Sequence, residues 1–552
     1  MLFNSWEFLI LLLISVPLYY LPIAGNARKV WQVGLLLLAS AVFYAWEEPR
    51  LLILLSASCL LNAVAVERIL FWKNRKILDG EFSILNEENS RAASTQSAAS
   101  SPIQNSESKI QNSESRARRW LFWTVALNLG FLAFFKYAGF LADLLPDSPA
   151  SDSVKLWFAG IPLPVGISFY TFQGISLVVD VWRNDISPQT AERLSGRGRN
   201  RITSIRDTSF YVAFFPQLVA GPIVKAHEFV DQIGGKMFRD IDWITVRRGL
   251  VLGYFLKIFV ADNLAEQTAF LSAGGAGLAS SGALNTLPLL YGYSLQIFAD
   301  FAGYSLIAIG LGELFGYKLP PNFNFPYLST SITEFWRRWH LSLSSWLRDY
   351  LYFPLGGNRK GAGRTYFNLF LVMFLGGLWH GAAWKFALWG SLHGLFLALE
   401  RFTAGSKFWI FNFKFWMKEP KHDAKAPSSS STFNIQHPTF KIAVIVVKWV
   451  FTFHIVTALW LTFMMPDMAS IIAFFKSLVN GKTGFSGPPI FSLVFYGSMV
   501  VLYHAWGWLN EHKKHFAHTL ARSPLEPLLH GVMVFLVLTN PGAPRGFIYF
   551  QF

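Results

Sequence analysis

The sequence predicts an all-α, polytopic integral membrane protein with about 11–13 membrane-embedded helices, some of them re-entrant or broken. Three observations lead there. In 552 residues the AVILMFWYC set makes up 53% and charged residues only 15%, with a mean hydropathy of +0.35, whereas soluble domains carry about 25% charge. About ten or more apolar runs approach the ~20 residues that cross a bilayer as helix. Finally, 53 Phe, 21 Trp and 18 Tyr supply interfacial anchors in quantity. A chain this poor in charge cannot cover several soluble domains, so a single membrane domain over 1–552 is expected.

Taken in order, the first three apolar runs cover 8–23, 30–46 and 51–72. Nothing in the first seven residues is basic and no small-residue cleavage site follows, so the first run reads as a retained span. Residues 73–119 are rich in Ser, Asn, Gln and Glu and contain the hexapeptide IQNSES twice, from Ile103 and from Ile110. Such a stretch buries too little apolar surface to offset its ordering entropy and reads as a disordered loop. Later runs cover 120–145, 165–182, 210–224, 249–262, 287–315, 366–379, 383–399, 442–465, 490–508 and 528–538. A second polar insert covers 405–439.

Charge sets orientation. The formal net charge is +15, but the basic residues lie mainly in short segments between apolar runs, as the positive-inside rule requires, so nucleic acid is a poor partner. With the N-terminus outside, Arg28, Lys29, the first insert and the Arg-rich 183–206 are cytoplasmic, and the acidic 143–152 is outside. The pattern breaks at 214–222, where Pro216, Gly221 and Pro222 interrupt the run and Lys225, Lys236, Arg239, Arg247 and Arg248 follow. A re-entrant element is expected, with a cavity near it, because broken backbone at membrane depth needs protein or water to satisfy it.

Ionisable groups inside apolar runs cost ~2.5 kcal/mol or more and usually face a cavity or a partner. His380, His393 and His454 fit that description. Gly376, Gly377 and Gly381 around His380 permit close approach by a substrate or another backbone. On one continuous helix His393 would lie on the far side from His380 and ~20 Å away, so the two cannot share a metal; His393 and His454 read as packing residues. Asp180, Asp262, Asp300 and Glu313 are coupling-ion sites, caps or bond partners. A lone Cys59 excludes an internal disulfide, a thiolate zinc cluster and an iron–sulfur centre. No metal site is expected. The segment 331–348 opens with Ser331 and Glu334, a helix-start signature. As one helix it would align Trp336, His340, Leu343 and Leu347 on one face, with Arg337 and Arg348 on the next. An amphipathic helix rich in Trp and Arg belongs at the membrane–water boundary, where its cations meet either lipid or a polyanion. Nothing matches a nucleotide loop, a GxSxG elbow or a paired-carboxylate site.

The runs WRRWHLSLS from Trp336, DYLYFPLGGN from Asp349, GLWHGA from Gly377 and FIYFQF from Phe547 resemble, in that order, the membrane-bound O-acyltransferases, and most of all the membrane subunit of bacterial alginate O-acetyltransferase. FFKY from Phe134, GISFYTFQ from Gly166, QLVAGPI from Gln217, ADN from Ala261 and PNFNFPY from Pro321 extend the likeness over nearly the whole chain outside the two inserts. Leu306, where that branch usually has an acidic residue, and Met465, which ends a run lacking the branch's aromatic and arginine, depart from it.

The resemblance implies a helical ring around a central funnel, with catalytic histidines at His380 and His340. It implies donor-binding candidates at Arg337, Arg338, Arg348, Trp336 and Asn322, and funnel-lining candidates at Trp379, Gly377, Gly381, Pro222 and Gln217. It further implies no bound cofactor, an acetyl-CoA or other acyl thioester donor, and a polysaccharide acceptor reached through a secreted, esterase-like extracytoplasmic partner, in a bacterial inner membrane surrounded by lipid. Histidine suits general-base work near neutral pH, and could equally carry the acyl group. D-alanyl transfer to teichoic acid is an alternative. So is a transporter or flippase, though these often carry an internal repeat and none is visible between the halves.

Overall fold

Every regular element among the described residues is a helix, as the apolar runs require, since a helix satisfies its own backbone in lipid. The computed structural model describes residues 1–93, 101–196, 201–219, 221–274, 276–405, 438–480 and 490–547. Five helical stretches among them are long and apolar enough to cross a membrane: Leu51–Arg75, Gln111–Ala142, Ala283–Leu314, Ile442–Met464 and Ile490–His512. A bent pair, Lys514–Leu520 with Leu525–Thr539, would make a sixth. Of the remaining apolar runs, some form long helices that are less apolar or more charged, such as Gly25–Ala45 and Trp384–Gly405, and others form shorter or interrupted ones. The chain is thus an all-helical, multi-pass membrane protein whose described residues fall into two compact units.

The first unit comprises Met1–Gly249 and Ile307–Pro320. Its first helix, Trp6–Tyr19, starts where Ser5 accepts a hydrogen bond from the Phe8 amide. The long helices Leu51–Ala93 and Ser101–Ala142 pair through Asn62 and Asn128, whose amides exchange bonds of 3.1 and 3.4 Å. Lys73 caps the helix Ile167–Arg183 by donating to the carbonyls of Val181 and Trp182. The buried Asp207 gathers Lys29, Arg193 and Arg206 at 2.6–3.1 Å, so three basic residues of the segments expected to be cytoplasmic are held by one carboxylate.

One expectation fails in this unit and another is met in its backbone. The stretch 73–119 is not a loop where it is described: 73–93 and 101–119 continue the two long helices, and both IQNSES copies lie in the second. Composition argued only that the segment has few large apolar residues with which to build a core. It missed that a helix already nucleated in an apolar run is extended at little cost by Ala, Glu, Gln, Lys and Arg. The second insert falls largely outside the described residues. At 214–222 the chain does break, into Arg201–Ala213 and the one-turn Phe215–Leu218. The surrounding protein supplies bonds to it: Ser40 accepts from the Phe215 amide, the Gln217 side chain donates to the Tyr211 carbonyl, and Gln217 and Pro222 are buried.

The second unit comprises Leu250–Leu306 and Pro321–Phe552. The helix Ala283–Leu314, whose residues up to Leu306 belong to this unit, is mostly buried along its most apolar window, 78% of it. Beside it the π-helical turn Phe255–Ala261 swings Lys257 between Asp262 and Asp300, at 2.7 Å from each, with all three side chains no more than 6% exposed. These two aspartates are therefore ion-pair partners. Asp180 bonds His227, and Glu313 accepts from the Asp242 amide, both in the first unit.

The amphipathic segment 331–348 also differs from expectation. Ser331 does accept from the Glu334 amide, but the helix ends at Trp336, and a second one, Leu341–Leu347, begins after His340. Between them, Arg338 and Leu341 bond the backbone of Asn324 and Asn322 at 2.9 Å, and His340 takes a left-handed conformation with φ of 45°. Bonds to a segment distant in sequence replace those within the helix, and the single face predicted for Trp336, His340, Leu343 and Leu347 does not form.

Candidate active site

His380 is the last residue of the helix Ala362–His380, and Trp384–Gly405 follows after a three-residue turn. The two helices pack closely because Gly377 and Gly390 face each other: a Cβ on Gly377 would lie 2.9 Å from the Gly390 Cα. At Gly381 a Cβ would overlap the Phe386 ring. Both glycines, expected as funnel-lining candidates, are packed against the following helix. The chain break also overturns the single-helix geometry for His380 and His393, since a single tryptophan, Trp389, contacts both imidazoles at 5.1 and 4.8 Å.

His380 is 3% exposed. Its ring meets Trp379, Trp389 and Phe463 at centroid distances of 5.0, 5.1 and 5.4 Å, and His340 at 6.4 Å. His340, from the Arg337–His340 break, is fully buried, with the edge of Phe301 packed at 4.6 Å. The two histidines placed 40 residues apart in sequence thus share one buried aromatic pocket of the second unit.

His340 is gripped by Asn322. Its Nδ1 lies 3.0 Å from the Asn322 Oδ1, which also accepts from the Ser342 hydroxyl at 2.9 Å and the Ser342 amide at 3.4 Å. The Asn322 Nδ2 donates to the Ser305 hydroxyl at 3.0 Å. Asn322 is 2% exposed, so its side chain is committed to the histidine rather than presented to a donor molecule.

The other donor-binding candidates separate. Arg338 is bound to Glu334 and, through both terminal nitrogens, to Glu511. Burial opposes its charge, but the two carboxylates outweigh it and hold the guanidinium above its usual range. Arg348 pairs with Asp349, and Arg337 is exposed. Trp336 donates its indole N–H to the Nδ1 of His393 at 3.2 Å, so His393 is a bond acceptor. His454 bonds the Val450 carbonyl. Gln217 and Pro222 belong to the first unit. No group of three potential metal ligands occurs among the described residues. Ser305, Ser342, Trp389 and Glu511 were not foreseen as site residues. Ser342 stands in the WRRWHLSLS run itself, whereas Glu511 has no signal within its neighbourhood in sequence.

With this geometry in hand, comparison with known proteins is informative. The sequence profile of the MBOAT, membrane-bound O-acyltransferase family, matches residues 103–420. A probable alginate O-acetylase of Pseudomonas putida is 38% identical over 406 residues, 73% of this chain and 71% of that protein. The peptidoglycan O-acetyltransferase of Helicobacter pylori is 34% identical over 66% of this chain and 65% of its own. The teichoic acid D-alanyltransferase of Bacillus subtilis is 29% identical over 51% of this chain and 73% of its own.

Proposed function

The chain belongs to the membrane-bound O-acyltransferase family and is an O-acyltransferase, and from that premise we propose that it takes an acetyl group from cytoplasmic acetyl-CoA and passes it towards an exported or cell-wall polysaccharide. It acts in a bacterial inner membrane, with a secreted, esterase-like partner completing transfer. The observation that carries this reading is the pair His380 and His340, both buried and 6.4 Å apart between ring centroids. An imidazole in such a site can take the proton of an acceptor hydroxyl as its oxygen attacks the thioester carbonyl. The C–S bond breaks, and the proton passes to the departing thiolate. Aromatic walls around His380 would keep out water that could otherwise hydrolyse the thioester.

Acetyl is favoured over D-alanyl because the alginate and peptidoglycan O-acetylating relatives match 73% and 66% of this chain, against 51% for the D-alanyl relative. The test is transfer of labelled acetyl from acetyl-CoA, supplied inside sealed vesicles, to carbohydrate on the opposite face. Label appearing outside only with intact enzyme supports the reading. Transfer of D-alanine instead would overturn it, as would movement of an intact solute without acyl chemistry.

A further inference from the structure

Resting on the reading of His340 as part of the acyl-transfer site, we infer that Asn322 is a positioning residue that locks His340 in one tautomer, with its proton on Nδ1 and its basic lone pair on Nε2. An imidazole alone cannot choose between its two neutral forms; the group facing one nitrogen does. The group facing Nδ1 is an amide, which could present either oxygen or nitrogen, so the choice passes to whatever orients the amide. Two neighbours orient it. The Ser342 backbone N–H, which can only donate, lies 3.4 Å from Oδ1, and the Ser342 hydroxyl lies 2.9 Å from the same atom. On the other side, Nδ2 has the Ser305 hydroxyl oxygen at 3.0 Å as acceptor. The atom 3.0 Å from His340 Nδ1 is therefore the oxygen, and Nδ1 must carry the proton.

The backbone is held by the same residue. The Asn322 carbonyl accepts the Leu341 amide at 2.9 Å, next to the left-handed φ of 45° at His340. That conformation is sparsely populated for residues with a side chain and persists only where surroundings enforce it. Asn322 thus fixes both where the imidazole stands and which nitrogen is basic, while Phe301 closes the ring from the side. During transfer the hydroxyl proton that His340 takes up arrives at Nε2. The resulting cation keeps its Nδ1–H on the Asn322 oxygen, and the proton leaves from Nε2 to the thiolate. The amide itself neither gains nor loses a proton.

Asn322→Ala, Asn322→Asp and His340→Ala, each purified as monodisperse full-length protein, test this through kcat and KM for acetyl-CoA across pH. Asn322→Ala is expected to lower kcat by ~10²-fold or more while KM changes by less than about threefold, because a mis-set tautomer impairs proton transfer and not donor binding. Asn322→Asp keeps an oxygen facing Nδ1 and adds a charge that favours the imidazolium. It is expected to retain at least about a tenth of wild-type kcat, with the acidic limb of the pH–rate profile moved to higher pH. An inactive His340→Ala beside an Asn322→Ala within about threefold of wild type in kcat overturns the inference and leaves the function standing. Equal loss in both Asn322 variants with no shift of the profile assigns Asn322 to structure alone and overturns it too. A His340→Ala that remains active removes the reading on which it rests.

Discussion

Replacing His380 is the most direct challenge to the proposed chemistry. The residue is 3% exposed and enclosed by Trp379, Trp389 and Phe463. His380→Ala therefore removes both an imidazole and much of the filling of an aromatic pocket. By analogy with other large-to-small core substitutions the lost packing costs about 2–4 kcal/mol. Loss of an imidazole that acts beside His340 in the proton transfer slows it ~10²–10⁴-fold, equivalent to about 3–5 kcal/mol of barrier. The two effects are separated by His380→Asn, which fills more of the space and cannot serve as a base. Both variants should lose at least about 99% of the initial rate of labelled acetyl transfer, normalised to the amount of monodisperse protein. Thermal stability in detergent should fall clearly more for Ala than for Asn. Retention of more than about a tenth of the wild-type rate by either variant would take His380 out of the chemistry.

Other substitutions probe the surroundings. Lys257→Met should destabilise the protein by about 3–5 kcal/mol, since Asp262 and Asp300 are left buried without their cation; thermal melts should show the stability returning when both aspartates are also made Asn. Among the arginines, Arg337→Lys should weaken acetyl-CoA binding in a detergent titration if the exposed guanidinium grips phosphate, whereas Arg338→Lys should lower the melting temperature through loss of its two-pronged bond to Glu511. For His227, the hydrogen bond to Asp180 raises the pKa above its usual value. Its contribution to stability should be full below about pH 6 and fade as pH rises through the raised pKa, a slope that melts of His227→Gln should lack. A cysteine at the exposed Arg359 should resist an impermeant thiol reagent in intact cells and react after permeabilisation, the buried Cys59 giving little background.

The class of the protein, its span-forming runs, the start of the helix at Ser331 and the two histidines were legible because each signal is local. Hydropathy, a cap three residues from its partner, and a short run of residues are all read within one neighbourhood. The arrangement around those histidines was not, for the same reason. Arg338 and Glu511 are separated by 173 residues and Trp336 and His393 by 57, and no periodicity relates them. At His340 local and distant forces conflict: the spacing of 331–348 favours one amphipathic helix, but backbone bonds to Asn322 and Asn324 and a buried polar ring break it. In the polar stretch 73–119 the error ran the other way, because helix extension from an apolar span needs no tertiary partner. Which nitrogen of His340 is basic depends on an amide, a serine hydroxyl and a backbone N–H contributed by three separate segments. A buried polar group takes its chemistry from whatever surrounds it, and those surroundings exist only once the chain has packed.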